Sequence, residues 1–589
     1  MTKWEYISEI LQDGLFFAVP NKILKEERCR EVIMAVPSEM LAWQMYGAGF
    51  EKFGKDEKPV VLPVPEPKAG ELLVKIDAIG LCFSDVKLIR AGESHPRVLV
   101  DDLEKDPVIP GHEAVMSIVK VGEGLEDKFK VGQRFIIQAD IYVNGKGYAY
   151  GYALNGGMAQ YSILGQEVLN GDEGCYLLPL SDKMPSAIAA LLEPWTCVFA
   201  SYHIKLRSTP LDGGKMGFMF GANAQNNYEF GDLVSKAVPA EVMLAGAVPA
   251  GFAEKVGTAF PNAKLTVSEK FPEGATFDDI FLCGIGGDVH SYQPYFGLNA
   301  RVNLMEKAPV SGLSSVDVGS IHYQGWFFQG TDTANFSAAY GRNVRTALKK
   351  GGTCWLPGGA GAMGQMHTQL AVTNPDGPSK IIVSDMDDTR LANVEQLLRP
   401  AADARGVEFK LVNPSKMTPA EFDALLNEFA PEGFDDIVML VPVPVVLSGS
   451  AKHLGKDGLM NIFAGIPAGK EAEIDLNGVI FSGARFIGSS GSRTDDLRMT
   501  LQLAENGALD PETALAGIGG MMDLKKGLDC VANAKFPGKT VIYPNCINMP
   551  LMKKEELMAL GGEIAASLEK SGGKFTQETE EAILKKFGC

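Results

Sequence analysis

Five residues in the first third of the chain have side chains that could carry out metal-assisted chemistry. In sequence order these are Cys82, Ser84, His112, Glu113 and Glu193. Thiolate, imidazole and carboxylate groups bind zinc, and a catalytic zinc site uses three protein ligands and leaves one position open. Taken singly, each residue also has a structural interpretation, as a buried thiol, a turn or a helix cap. The sequence therefore offers candidate ligands that only the fold can bring together.

A second group of residues, between positions 351 and 390, has the pattern of a nucleotide-binding unit. Short apolar runs predict strands at 353–356 and 381–384, and residues 363–372 predict a helix between them. Pro357 must lie at the end of its strand, because proline cannot donate to the ladder. The turn before the helix contains three glycines in the spacing Gly-x-Gly-x-x-Gly.

This order of strand, glycine turn, helix, strand and acid is the pattern that binds a dinucleotide. Asp385 stands 21 residues after the last glycine. A carboxylate there accepts hydrogen bonds from the adenosine ribose and repels a 2′-phosphate, so NAD is favoured over NADP. A glycine-rich turn in an ordinary parallel α/β unit is the alternative. The candidate cofactor-binding residues are Gly359, Gly361, Ala362, Met363, Gly364, Asp385 and Arg390.

Composition limits the classes of partner. At 589 residues the chain has room for three or four domains of about 150 residues each. A formal net charge of −18 argues against nucleic acid or an anionic membrane as the main partner. An anionic substrate would need a local basic patch.

Cysteine usage and the opening residues indicate a cytoplasmic protein. The nine cysteines are scattered without a Cys-x-x-Cys pair, which predicts reduced thiols. The opening text MTKWEYISEILQDG has acidic residues and no long apolar core, so it does not resemble a signal peptide. An apolar run of about 18 residues, as a membrane span requires, does not occur.

At the candidate ligands and the glycine turn the chain resembles the zinc-dependent medium-chain dehydrogenases, the superfamily of alcohol, sorbitol and threonine dehydrogenases. The matching text includes GLCFSDVK, PVIPGHEAV, GGMAQY, LLEPWTCVFASY and GKTVIYP. CFSDVKLIRAGESHPR, GGAGAMGQM and the tail KFTQETEEAILKKF are most similar to the branch that contains L-sorbose 1-phosphate reductase. The resemblance runs from about residue 41 to 544 with one large interruption. It implies an α/β protein with a GroES-like β-barrel catalytic domain and a Rossmann domain.

The resemblance also implies roles for individual residues. Cys82, His112 and Glu193 would be zinc ligands, and Glu113 the neighbouring carboxylate that approaches the metal directly or through water. Ser84 matches the hydroxyl that relays the substrate proton. The four-cysteine lobe of many relatives is replaced by ADIYVNGKGYAYGYALN, so one catalytic zinc is expected in each chain.

A cluster of basic residues after Cys82 favours an anionic substrate. Lys87, Arg90, His95 and Arg97 could hold a phosphate in an otherwise acidic protein. A solvated basic loop is the alternative. Of these residues, Lys87, His95 and Arg97 are the candidate substrate-binding residues. Lys87 replaces a histidine that many polyol dehydrogenases carry, so the outer end of their proton relay is not transferable.

The interruption is an internal repeat. ATFDDIFLCG (275–284) parallels EGFDDIVMLV (432–441), and SSVDVGSIHYQGWFFQGTDTA parallels AEIDLNGVIFSGARFIGSSGSRT. The earlier copy has GANAQN in place of the three glycines, and its next strand ends without an acid. Asparagine side chains would crowd a pyrophosphate, so this copy is expected to be structural, serving assembly or covering the cleft. A second ligand site is the alternative.

The predicted domains are an N-terminal arm (1–34), a zinc catalytic domain (35–205, completed by 545–589), a degenerate Rossmann-like repeat (206–347) and an NAD-binding Rossmann domain (348–544). The predicted function is reversible hydride transfer between NAD(H) and a secondary alcohol or ketone of a sugar or polyol, with a phosphorylated substrate favoured. The alternatives are a dehydrogenase of an unphosphorylated polyol or small hydroxy compound, and a non-catalytic NAD-binding scaffold or sensor. Relatives form dimers or tetramers, so a homodimer or homotetramer is expected.

Overall fold

A computed structural model describes residues 36–341 and 344–589. The predicted arm at 1–34 lies outside the described residues. The chain divides into two compact units, one made of the residues up to Thr196 together with Ser492–Cys589, the other of Cys197–Gly491. None of the described helices is both long and apolar enough to cross a bilayer.

Up to residue 341 the chain forms strands and α-helices that are numbered in chain order. The strands are β1 (Glu39–Ala42), β2 (Val60–Pro63), β3 (Leu72–Leu81), β4 (Glu113–Val121), β5 (Arg134–Ile137), β6 (Tyr142–Val143), β7 (Lys146–Gly147), β8 (Tyr161–Leu164), β9 (Leu177–Pro179), β10 (Lys215–Phe220), β11 (Glu241–Gly246), β12 (Lys264–Ser268), β13 (Phe277–Cys283), β14 (Phe296–Met305), β15 (Ser314–Asp317) and β16 (Phe327–Thr331). The α-helices are α1 (Phe83–Ala91), α2 (Gln166–Leu169), α3 (Ser186–Ala189), α4 (Leu192–Ala200), α5 (Leu233–Lys236), α6 (Phe252–Ala259) and α7 (Val318–Gln324).

The elements after residue 344 follow the same numbering. The strands are β17 (Thr353–Pro357), β18 (Lys380–Ser384), β19 (Glu408–Val412), β20 (Phe434–Met439), β21 (Leu454–Ile462), β22 (Glu471–Ile474), β23 (Arg485–Ile487), β24 (Leu515–Gly520), β25 (Lys539–Tyr543) and β26 (Met552–Lys553). The α-helices are α8 (Ala362–Thr373), α9 (Asp388–Arg405), α10 (Pro419–Phe429), α11 (Pro444–Ala451), α12 (Asn477–Phe481), α13 (Thr494–Glu505), α14 (Leu524–Ala532), α15 (Gly562–Lys570) and α16 (Gln577–Phe587).

The first unit is built on one sheet in the order β26-β24-β25-β3-β4-β5-β9, with β8 also paired to β3. Its longest strand, LLVKIDAIGL, is buried along most of its length and pairs antiparallel with β4. Strand β25 pairs with the other edge of β3. The predicted boundary at residue 544 differs from this arrangement, because β24 and β25 belong to the sheet of the first unit.

The second unit contains two six-stranded parallel sheets of identical topology. Their orders are β12-β11-β10-β13-β14-β16 and β19-β18-β17-β20-β21-β23. Both place their strands as 3-2-1-4-5-6, the order of a doubly wound dinucleotide-binding domain. The predicted α/β class with a duplicated Rossmann-like unit is therefore confirmed. We call β10–β16 the first copy and β17–β23 the second copy.

Matching ion pairs mark the duplication at the level of side chains. Arg207 Nη1 lies 3.1 Å from the buried carboxylate of Asp279 in the first copy, and Arg345 Nη1 lies 2.5 Å from that of Asp436 in the second. Each aspartate stands near the start of the fourth strand of its copy. The two copies thus keep the same buried charge pair although their glycine turns differ.

The copies differ where a nucleotide would bind. In the second copy β17 is followed by the twelve-residue helix α8, whereas the first helix after β10 is the four-residue α5. At the same edge of the first copy the carboxylate of Glu306 accepts a 2.8 Å hydrogen bond from the Gly286 N–H. Gly286 follows β13, so this bond lies at the carboxyl edge of the sheet but outside the turn after β10 that corresponds to the glycine turn.

One expectation about cysteines is corrected. Cys546 and Cys589 form a disulfide with a Cα–Cα distance of 4.8 Å, so the chain does not keep all its thiols reduced. Cys82, Cys175, Cys283, Cys354 and Cys530 have free thiols. The sequence did not predict this pair, because the two cysteines are 43 residues apart and share no motif.

Candidate functional site

The register of β3 against β4 brings the candidate metal ligands together. Gly80 pairs with Glu113 across these strands, so Cys82 follows the end of one strand and His112 precedes the start of the other. One ligand atom from each of Cys82, His112 and Glu113 lies within 4.8 Å of the others. Two segments about 30 residues apart in sequence thus place a thiol, an imidazole and a carboxylate at a single point.

Asp85, which sequence reasoning missed, connects two of these ligands. Its Oδ1 lies 3.1 Å from His112 Nδ1 and its Oδ2 accepts a 2.9 Å hydrogen bond from the Cys82 N–H. Because a carboxylate only accepts, Nδ1 carries the proton and Nε2 is left to face a metal. The available signal was an acid at the third position of the helix that starts after Cys82.

Glu113 forms a buried ion pair with Lys539. Lys539 Nζ lies 2.5 Å from Glu113 Oε1, and the two side chains are 4% and 0% exposed. Burial opposes the ammonium charge, but the Glu113 carboxylate holds the pKa of Lys539 above its usual value. The other oxygen, Oε2, is buried without a hydrogen-bond donor. An orphaned carboxylate oxygen beside a thiol and an imidazole fits a bound cation, so the donor set is suited to zinc.

Glu193 lies near the group of three without belonging to it. It stands in the first turn of α4. Burial raises its pKa to about 7, with the His112 charge lowering it and the Glu113 charge raising it further. Its carboxylate is therefore within electrostatic reach of both residues, and its role as a ligand stays a prediction.

The segment that leads into α4 is held by the end of the chain. The Glu580 carboxylate accepts hydrogen bonds of 2.7 and 2.9 Å from the Ser186 and Ala187 N–H groups at the start of α3. Tyr543 donates a 2.6 Å hydrogen bond to the same carboxylate. Helix α3 is thereby capped by α16, and only two residues separate α3 from α4.

The predicted phosphate-binding residues do not form a free cationic cluster. Arg97 Nη1 is paired with Asp140 Oδ1 at 2.6 Å. Burial, followed by the charges of Arg97 and Lys87, lowers the pKa of His95 to about 4, so this ring is neutral at pH 7. The Lys87 side chain is exposed.

Tyr152 lies among these residues and was not identified from the sequence. Its ring centroid is 5.3 Å from that of His95 and 5.5 Å from that of His112, and the Arg97 guanidinium lies 5.5 Å from it. Arg97 and His95 are therefore one aromatic ring away from a candidate metal ligand. Ser84 is half-buried in α1, two residues after Cys82.

The glycine turn of the second copy has the geometry of a dinucleotide site. Strand β17 ends at Pro357, and β17, α8 and β18 match their predicted bounds within one residue. A methyl group at Gly364 would collide with the carbonyl oxygen of Gly358, which explains why only glycine allows the helix to pack so closely. A methyl group at Gly361 would meet only the Gly358 oxygen at 3.5 Å. Open space therefore borders the backbone where a pyrophosphate would approach.

The remaining predicted cofactor residues surround this turn. Ala362 and Met363 open α8 and are half-buried. Asp385 directly follows β18, and its Oδ1 accepts a 3.1 Å hydrogen bond from the Asp387 N–H. Arg390 Nη1, on α9, lies 3.8 Å from the same oxygen. The acid thus stands at the carboxyl end of the strand next to the turn, where a ribose would be held.

His367 is a buried polar residue of α8 that sequence reasoning did not single out. Its Nδ1 lies 2.7 Å from the Tyr202 hydroxyl. Burial lowers its pKa to about 3. The ring is therefore neutral at pH 7. Its centroid lies 4.2 Å from that of the Phe463 ring.

Known proteins resemble the chain both in part and along nearly its full length. Residues 68–170 match the family model of the alcohol dehydrogenase GroES-like domain. The chain is 26% identical over 542 residues to a mannitol-1-phosphate 5-dehydrogenase of Aliivibrio fischeri, covering 90% of this chain and 95% of that one. It is 22% identical over 540 residues to an L-sorbose 1-phosphate reductase of Klebsiella pneumoniae, covering 90% and 96%.

Among solved structures, 2R,3R-butanediol dehydrogenase from Bacillus subtilis has a similar fold. The TM-score is 0.50 and the identity 17%, with 86% of this chain and 100% of that chain covered. At this identity the likeness shows the fold alone. The expected GroES-like domain is thus confirmed.

Proposed function

We propose that this chain, whose residues 68–170 match the alcohol dehydrogenase GroES-like domain, is a zinc- and NAD(H)-dependent oxidoreductase acting on a sugar or polyol phosphate. It would interconvert a secondary alcohol and a ketone. The observation that carries the proposal is the approach of Cys82, His112 and Glu113 ligand atoms to within 4.8 Å of one another. The glycine turn with Asp385 supports the cofactor assignment.

The chain's own residues would hold and orient the reacting groups. When bound, zinc supplies Lewis-acid polarisation of the substrate oxygen, and the nicotinamide supplies or takes up hydride. Asp85 fixes the His112 ring so that Nε2 is presented. Ser84, two residues from the Cys82 thiolate, would take the proton from the substrate hydroxyl and pass it outward. Lys539 pairs with the buried Glu113 carboxylate and holds it in place.

We also propose that the substrate carries a phosphate group. It is supported by the names of the two full-length relatives and by Arg97, whose guanidinium has five donors. The ion pair with Asp140 uses the Nη1 end of this side chain. A phosphate held by the other donors would lie one tyrosine ring away from His112.

A second candidate is the oxidation of an unphosphorylated polyol. The ion pair between Arg97 and Asp140 favours this candidate, because Asp140 already balances the charge of Arg97. The neutral ring of His95 favours it as well. A matched substrate pair, one polyol and its terminal phosphate ester, separates the two. Arg97→Ala should raise the KM of the phosphate ester about ten-fold or more and leave the KM of the free polyol unchanged.

Metal analysis and cofactor titration test the core of the proposal. Purified protein should contain one zinc per chain, and NADH should bind with quenching of protein fluorescence. Cys82→Ser should remove zinc and turnover while NADH affinity stays within about two-fold, because the glycine turn lies on other elements. A zinc-free active enzyme would contradict the metal assignment, and zinc and NADH binding without turnover on any sugar phosphate would favour a non-catalytic sensor. The predicted homo-oligomer and cytoplasmic location stay predictions.

A further inference from the structure

The first copy makes hydrogen bonds to the half of the second copy that a nicotinamide would use. In a doubly wound sheet the cofactor lies outside the carboxyl ends of the strands, with its two halves on either side of the point where strand order reverses. The glycine turn after β17 and Asp385 after β18 would bind the adenosine half of the cofactor. The carboxyl ends of β20, β21 and β23 are therefore left for the nicotinamide half.

The loop that leaves β21 is held by the segment Asp317–Gln324 of the first copy. His322 Nδ1 donates a 3.0 Å hydrogen bond to the carbonyl oxygen of Ile462, the last residue of β21. Asp317 Oδ2 accepts a 2.9 Å hydrogen bond from the Gly469 N–H. The Val318 N–H donates to the Lys470 carbonyl oxygen at 3.2 Å. Both ends of the loop 463–470 are thus bound to α7 and its cap.

The exit of β23 is packed against the same helix. Gly488 directly follows β23, and a methyl group there would lie 2.7 Å from His322 Cα and 3.1 Å from His322 N. Only glycine permits this approach. Asn461 pairs with Ile487 in the sheet, so Ile462 and Gly488 stand side by side at its carboxyl edge. His322 therefore touches both chain segments that leave this edge.

The contacts are reciprocal between the copies. Asn477 of α12 in the second copy donates a 2.9 Å hydrogen bond to the Val310 carbonyl oxygen and accepts a 2.8 Å bond from its N–H. Val310 lies in the loop after β14, the counterpart of the loop after β21. Strands β15 and β22 pair antiparallel and join the two sides. Each copy thus clamps the corresponding loop of the other, as in a two-fold interface.

Only one of the two clamped loops borders a glycine turn and a long helix suited to a dinucleotide. In the first copy the turn after β10 lacks the three glycines, and the first helix after it has only four residues. We propose that the first copy positions the nicotinamide half of the cofactor site in the second copy, with His322 as the positioning residue. This inference rests on the proposed function, and it gives the first copy a role for which that copy needs no ligand of its own.

Comparing the affinities for two ligands distinguishes positioning of the nicotinamide half from a general loss of stability. NADH contains both halves of the cofactor, whereas ADP-ribose lacks the nicotinamide ring. His322→Leu in the full chain should weaken NADH binding about ten-fold, the effect of one lost hydrogen bond, and leave ADP-ribose affinity within about two-fold. His322→Gln, which keeps a donor, should recover most of the NADH affinity.

Asn477→Leu is the matched control, because it removes the reciprocal clamp on the first copy and should change neither affinity. Gly488→Ala is a second probe that leaves His322 in place and should reproduce the selective loss of NADH affinity. Equal losses for both ligands in His322→Leu and Gly488→Ala, or no loss in either variant, would overturn the inference. Failure of the unmodified protein to bind NADH or ADP-ribose would instead contradict the proposed function.

Discussion

Lys539 lies 2.5 Å from Glu113 although neither side chain has appreciable contact with solvent. Removing one member of such a pair leaves the other charge buried and unpaired. Lys539→Met should therefore lower the free energy of unfolding of the metal-free protein by about 3–5 kcal/mol. Chemical denaturation measured by circular dichroism checks this value.

The chain offers a matched control for that change. Lys585 and Glu563 are also 2.5 Å apart, but both side chains are exposed. Because solvent screens this pair, Lys585→Met should cost less than about 1 kcal/mol. Equal effects of the two substitutions would mean that burial does not determine the strength of the Lys539 pair.

Asp85 should control zinc affinity without binding the metal itself. It accepts hydrogen bonds from His112 Nδ1 and the Cys82 backbone, so it orients two ligands at once. Asp85→Asn should weaken zinc binding about 10–100-fold, as is typical of residues that orient metal ligands. Competition with a chromophoric chelator measures this change. Asp102→Asn, on the surface of the same unit, should have no effect.

The sequence predicted the parts of the fold that are encoded locally. The strand, glycine turn and helix at 353–373 follow from hydrophobic runs and backbone requirements within one short stretch, and the structure matches them. The convergence of Cys82, His112 and Glu113 was predicted by resemblance and not by pattern, because it depends on the register between β3 and β4.

Other features could not be predicted because they are long-range. Lys539 meets Glu113 across 426 residues of sequence, and Asp140 meets Arg97 across 43. No local pattern specifies which charges become partners after folding. For the same reason β24 and β25 were assigned to the wrong side of the boundary at residue 544, since their partner strand lies near the start of the chain.

Asp385 should determine the choice between NAD(H) and NADP(H). Its carboxylate stands where a 2′-phosphate would enter, so Asp385→Ala should raise NADPH affinity about ten-fold and lower NADH affinity. Arg390 lies 3.8 Å from this carboxylate and would then be available to the phosphate. Fluorescence titration with both cofactors measures the switch. Adding Arg390→Ala should abolish the gain, and a gain that persists would contradict this role of Arg390.

His367 should make the second unit sensitive to acid. Burial lowers its pKa to about 3, whereas an unfolded histidine titrates near about 6.5. The folded chain therefore favours the neutral ring, and this contribution is complete above about pH 6.5 and is lost as the pH falls towards 3. Between pH 7 and 5 the loss should reach about 2 kcal/mol.

Denaturation of His367→Gln tests this contribution, because glutamine does not titrate. The variant should be less stable than the parent at pH 7, but its stability should fall less between pH 7 and 5. The same pH dependence in both proteins would show that other groups cause the acid sensitivity.

The sheet of the first unit has a consequence for synthesis on the ribosome. Strand β3 is flanked on one side by β4 and on the other by β8 at residues 72–75 and by β25 at residues 79–81. Because β25 is translated only after the entire second unit, residues 79–81 lack this partner until then. Lys539 of β25, the buried partner of Glu113, therefore joins the group of Cys82, His112 and Glu113 only after most of the chain has been made.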